Sequence, residues 1–136
     1  MTYSQLYENY RTERKTVLSE NQFASLLLMY PSVLVAYADS DFDALERQNL
    51  AISCASAAGD DKLFSAELYS ELMNTISPEG EKWKSSFLEV LKANLASDSD
   101  SAQIVNDLMI SMAESSDGIS DEEQAVIDFV KSSLNI

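Results

Sequence analysis

At four candidate helix starts a Ser or Asp stands three residues ahead of a Glu or Gln: Ser19 and Gln22, Asp43 and Glu46, Asp100 and Gln103, Ser120 and Glu123. In such a pair the first side chain accepts the N–H three residues on, and the second reaches back to the N–H of the first. Each pair therefore predicts a helix start. Each is followed by apolar residues spaced three and four apart, one face of a helix. Three Gly and two Pro in 136 residues leave little material for glycine-rich loops or repeated tight turns. Ser, Leu, Ala and Glu are the commonest residues, and the last three favour helix. No stretch reads as a strand. The expected fold is all-α, a compact bundle of about seven helices.

Taken in order, Tyr3, Leu6, Tyr7, Tyr10 and Val17 share a helical face over residues 3–16. This predicts an amphipathic helix packed on the core with its phenol oxygens at the rim. The apolar segment 23–38 follows the Ser19 start. Ala36-Tyr37-Ala38 resembles a signal cleavage site, but Ser19–Gln22 interrupts the basic segment ahead of it. The segment also falls short of the roughly 20 residues a membrane span needs. It reads as a buried helix or helix pair, which Pro31 should kink or split near Met29 and Tyr30. Further helices are expected over 44–57, 61–76, 78–96, 101–115 and 121–134. Gly59 is a plausible stop for the first of these, and Ser77-Pro78 a start for the third. The reading totals about seven helices. Leu63, Phe64, Leu68, Leu72, Met73 and Ile76 are expected to face inward, as are Trp83, Phe87, Ile104, Met109 and Met112. Val126, Ile127, Phe129, Val130 and Leu134 are the residues the last helix has available for burial. Length predicts one domain, residues 1–136. Within it, 1–18 is an N-terminal helix, 20–59 and 98–136 are two half-motifs, and 60–97 holds central helices.

The net charge is −14. Phosphate backbones and anionic membrane surfaces would be repelled. A protein partner with a basic surface, or a cation, is favoured. Solubility alone is the plainer use of such charge, and DNA mimicry a conceivable one. Cys54 is the only cysteine, so the chain forms no internal disulfide, and a small core residue is its expected role. Histidine is absent, which removes Ser-His and Cys-His nucleophiles and the usual zinc ligand sets.

The charge is not evenly spread. From Thr16 to Glu46, and again from Ala93 to Val130, there is no Lys or Arg. Each span contains one acidic turn, Asp39–Asp43 or Ser116–Glu123. Packing that brings the turns together would make one acidic pole. Asp39, Asp41 and Asp43 alternate as in the first half of an EF-hand loop, whose ligands are carboxylates at alternate positions. That pattern then fails: Ala44 stands at its Gly and Leu50 at its closing Glu. A looser cation site, shared with Asp117, Glu122 or Glu123, stays open beside the plainer reading of helix caps and a solvated acidic face. No nucleophile, base and orienting group come together in sequence, so catalysis is not expected.

The segment Ala36-Tyr-Ala-Asp-Ser-Asp-Phe-Asp-Ala-Leu-Glu46 and the segment Met112-Ala-Glu-Ser-Ser-Asp-Gly-Ile-Ser-Asp-Glu-Glu123 carry a resemblance. Helix, Ala-Asp-Gly-x-apolar-Ser-x-x-Glu, helix resembles the signature of the TerB-like tellurite-resistance family, over roughly residues 20–134. Ser40 stands where the first glycine is expected, and the second copy is offset, with Ser116 at the place of Asp39 and Gly118 at that of Asp41. The resemblance implies two pseudo-symmetric helical halves and a cytoplasmic setting. It also implies a candidate Ca²⁺ or Mg²⁺ site at Asp39, Asp41, Asp43, Glu46, Asp117, Ser120 and Glu123. The function it implies is that of a non-enzymatic, acidic protein-interaction module of a bacterial or phage stress or defence system, modulated by a divalent cation. Two alternatives are a metal-ion-binding tellurite- or stress-resistance protein and a metal-dependent enzyme using carboxylates.

Overall fold

Three of the four paired start signals become reciprocal helix caps. The computed structural model describes residues 1–38, 41–115 and 118–136. Its helices are α1 (Tyr3–Arg14), α2 (Glu20–Ala36), α3 (Ala44–Ala58), α4 (Lys62–Thr75), α5 (Lys84–Leu95), α6 (Ser99–Ala113) and α7 (Asp121–Leu134), with a 3₁₀ turn, Glu81–Trp83, leading into α5. The fold is an all-α bundle of seven helices, and no strand occurs among the described residues. Ser19, Asp43 and Ser120 each complete the reciprocal cap. Thr2 with Gln5 forms another that the sequence reading passed over, and Asp61 caps α4.

The fourth start moves. Asp98, not Asp100, caps α6: its carboxylate accepts the Ser101 N–H at 3.0 Å and the Ser101 hydroxyl at 2.7 Å. Gln103 donates instead to Asp107 along the helix. Asp98 wins because two donors on one residue satisfy both of its oxygens. Those bonds hold its carboxyl below the usual range.

Ser77-Pro78 starts no helix either. The Ser77 hydroxyl turns back to the Asn74 carbonyl, and residues 78–80 form a turn before the 3₁₀ segment. The cause is close approach: a Cβ on Gly80 would lie 2.2 Å from the Asn74 carbonyl oxygen. The chain doubles back against the end of α4, and only glycine fits there.

Pro31 does not split its helix. α2 runs unbroken from Glu20 to Ala36, one helix where a split was open, and the total is seven. A proline inside a helix costs roughly 3 kcal/mol or more. Here Leu26, Leu27, Met29, Tyr30, Val33, Val35 and Ala36 are all buried around it, and α2 packs against α4, α6 and α7. Burying one such side chain gains about 1.5–3 kcal/mol, so packing on both sides of the proline outweighs it.

Around the N-terminal half of α2 gathers an aromatic core. Phe23 lies 5.1 Å from Tyr10 and 5.9 Å from Phe87, ring centre to ring centre. Trp83 meets Tyr10 edge-on at 5.0 Å and lies nearly parallel to Phe87. Cys54 is buried, and burial pushes its thiol up to about 12, so it packs as a small apolar residue. Four expected core positions are corrected: Val17, Leu63, Ile104 and Phe129 are exposed. Val17 is outside α1, because Lys15 takes a left-handed turn (φ 55°) and ends the helix. The other three sit just off their helices' inward stripes, where a count of apolar residues cannot separate edge from face.

The caps at Asp43 and Ser120 are worth testing by stability. Ser120→Ala removes one acceptor for the Glu123 N–H, bonded at 3.1 Å. Urea unfolding of that variant should show a loss of about 0.5–2 kcal/mol, and Asp43→Ala a loss in the same range. An unchanged midpoint in both would mean that these boxes do not hold the helix starts.

Candidate functional site

The two acidic stretches come to one end of the bundle, and the reason is helix direction. Asn49, one turn past the first box, bonds the carbonyl and hydroxyl oxygens of Ser111 at 3.5 and 3.3 Å. That contact sets the start of α3 beside the end of α6. Leu34 and Tyr37, at the end of α2, share a recess with Val126 and Phe129, in the first turns of α7. The end of α2, the start of α3, the end of α6 and the start of α7 thus form a single pole.

Within it, Asp43 Oδ1 accepts the Glu46 N–H at 2.8 Å and Glu46 Oε1 accepts the Asp43 N–H at 3.0 Å. Ser120 and Glu123 repeat the arrangement at 3.1 and 2.9 Å. Glu46 is 4% exposed and Glu123 8%. Both box glutamates are therefore turned inward onto backbone, whereas Asp41, Asp121 and Glu122 face solvent. Phe42, between Asp41 and the first cap, is buried and anchors this stretch to the core, while its counterpart Ile119 is exposed. Gly118 carries a positive φ of 90°, a conformation few other residues adopt. Asp39 and Asp117, with Ser40 and Ser116, lie outside the described residues.

For a cation, an oxygen already holding a helix N–H is a weak offer. In the expected set Asp43 Oδ1, Glu46 Oε1, Ser120 Oγ and Glu123 Oε1 are all so engaged. Among the described residues no three Asp, Glu or Cys side chains gather as a metal ion requires. A hard cation takes six to eight oxygens at about 2.3–2.6 Å, or an octahedron of them at about 2.0–2.1 Å with several from water.

Sequence reading missed the aromatic part of the pole. Leu34, Tyr37, Val126 and Phe129 line a shallow recess of about 390 Å³, with Glu81 and Lys84 at its edge. Tyr37 and Phe129 are 40% and 52% exposed. The Lys84 ammonium stands 5.4 Å from the Phe129 ring, so a cation already rests on that face. The available signal was spacing: Phe129 stands two residues after Ile127 and one before Val130, off the inward stripe.

No protein-family model, no characterised protein and no solved structure matches the chain. Among the described residues no helix is long and apolar enough to cross a membrane.

Proposed function

We propose that the protein is a non-enzymatic, acidic interaction module, TerB-like in kind, that binds basic surfaces of partner proteins in a bacterial or phage stress or defence system. The observation that carries this reading is where the negative charge has no ion pair. Asp100, Asp107, Glu114, Asp121, Glu122 and Asp128 all stand exposed on or beside α6 and α7. Four ion pairs occur among the described residues: the N-terminus with Glu89, Arg11 with Glu8, Arg14 with Glu71 and Lys82 with Glu13. Each of the four involves α1 or the residues before it. The carboxylates of α6 and α7 keep their field for an incoming partner, and such a field raises encounter rates with basic surfaces. A Ca²⁺ or Mg²⁺ ion held at the same pole would compete with that partner.

A fluorescent oligolysine peptide tests the reading. It should bind at low salt, and binding should fall steeply as the Debye length shrinks from about 10 Å at 0.1 M to about 3 Å at 1 M. The pair Asp121→Asn with Glu122→Gln should weaken it more than Asp60→Asn with Glu79→Gln, which removes the same charge from the exposed turns flanking α4. Ca²⁺ should compete better than potassium at equal ionic strength. Equal losses in the two charge variants would mean that net charge, not this pole, draws the peptide, and the reading would be dropped.

A further inference from the structure

A second surface, away from the paired aromatics, is built differently. Between α2, α3 and α6 runs a recess of about 350 Å³, floored by Leu28, Ser53 and Ser56 and walled by Ile52, Ile104 and Leu108. Ile52 is 62% exposed and Ile104 47%, and Leu45, two turns before Ile52 on α3, is 54% exposed. Branched aliphatic chains held this far in water, on α3 and α6 with small residues in the same recess, make an apolar slot. The i, i+3, i+4, i+7 face of an amphipathic helix fits such a slot. The charges beside it set the sign of the occupant. α2 has one charged residue, Glu20; α3 has Glu46 and Arg47; α6 has Asp100 and Asp107. Asp100 lies one turn before Ile104 in the same column as Leu108, and Asp107 precedes Leu108; both are exposed.

We infer that this groove docks an amphipathic helix of a partner protein, whose leucine-type anchors enter between Ile52 and Ile104 and whose lysines or arginines meet Asp100 and Asp107. A second copy of this chain is the wrong occupant. Each chain has a net charge of −14, and two such surfaces repel. The inference rests on the proposed reading of a module for basic partners and adds the surface and the shape of what binds there.

The probe is a synthetic Leu/Lys helix of about four turns, with leucines at i, i+3, i+4 and i+7. Its control is a peptide of the same composition with the order scrambled. The designed helix should shift backbone amide signals of Ser53, Ser56, Ile104 and Leu108, and bind more tightly than the scrambled peptide. Ile52→Asn with Ile104→Asn changes two exposed side chains, so the unfolding midpoint should hold while affinity falls about tenfold or more, as loss of interface anchors does. Equal binding to protein and variant would overturn the inference, as would equal binding of the two peptides or no binding at all. Self-association of the protein that the variant abolishes would also overturn it, since the occupant would be a second copy. Retained Leu/Lys binding with no oligolysine binding would instead leave the groove standing and fell the acidic-pole reading.

Discussion

Replacing Trp83 by alanine should lower the unfolding free energy by about 3–5 kcal/mol, the range for removing a large aromatic from a packed core. The ring is 8% exposed, meets Tyr10 edge-on at 5.0 Å and stacks over Phe87 at 6.0 Å. Those two are themselves fully buried, so the vacated space is walled by side chains that cannot easily collapse into it. The Lys82 ammonium, 5.7 Å from the ring, covers its outer side. One detail separates this position from an ordinary core aromatic. The indole N–H is buried and has no acceptor among the described residues. Leaving a buried donor unbonded costs about 1–3 kcal/mol. Trp83→Phe removes that donor along with part of the ring. The two effects oppose, and Trp83→Phe should fall within about 1.5 kcal/mol of the parent protein, the usual limit for a well-fitting apolar exchange. Chemical denaturation followed by circular dichroism reads both variants. If Trp83→Phe costs as much as Trp83→Ala, the missing acceptor is no burden and the shape of the indole alone matters. Tryptophan emission of the parent protein should be blue-shifted, as for an indole out of water. Emission typical of an exposed ring would remove Trp83 from the core altogether.

That Trp83 and Phe87 would be buried was legible from spacing, as were the caps at Ser19, Asp43 and Ser120. These are local facts, decided within four residues, and nothing distant competes with them. Pro31 shows the opposite case. Its local preference is to end a helix, and it was overridden by burial on every side of α2, which no window of sequence contains. Gly80 is similar: the cause of its turn is the carbonyl of Asn74, placed there by the packing of α4. At the pole, the sequence located the acidic turns and their boxes. It could not say that Glu46 and Glu123 face inward, because an exposed and a buried box read alike. Nor did it separate Ile104 from the core, since Val105 beside it is buried. The groove between Ile52 and Ile104 exists only once α3 and α6 are set side by side.

The polar group with most at stake is one that charge counting hid. Glu71 stands on the inward stripe of α4, three residues after Leu68, and is 3% exposed. Its carboxylate takes two bonds from Arg14, Nε to Oε1 at 2.9 Å and Nη2 to Oε2 at 2.7 Å, and a third from the Tyr10 hydroxyl at 2.7 Å. Burial first, then the bond to Glu71, hold the Tyr10 phenol above its usual range, so it stays a donor. One turn earlier on α4, Glu67 accepts the Thr16 hydroxyl and the Val17 N–H. Two carboxylates of one helix thus fix the end of α1 and the turn into α2. Glu71→Ala leaves Tyr10 without an acceptor and the guanidinium half-enclosed without its partner. Removing one member of a buried pair costs about 3–5 kcal/mol, and with Arg14 29% exposed at its side chain the loss should lie near the low end, about 3 kcal/mol. Arg14→Met alone strands the carboxylate, the more deeply buried member, and should cost at least as much. The double variant Arg14→Met with Glu71→Leu removes both charges and fills the space with apolar atoms. It should recover much of either single loss, because an apolar replacement of a buried pair is often neutral or stabilising. In a urea cycle built on Arg14→Met and Glu71→Leu, such losses imply a coupling of about 3 kcal/mol, the upper end of the usual range for contacting residues. Losses that simply add would mean that Arg14 and Glu71 act independently, and that the pair does not hold α1 to α4.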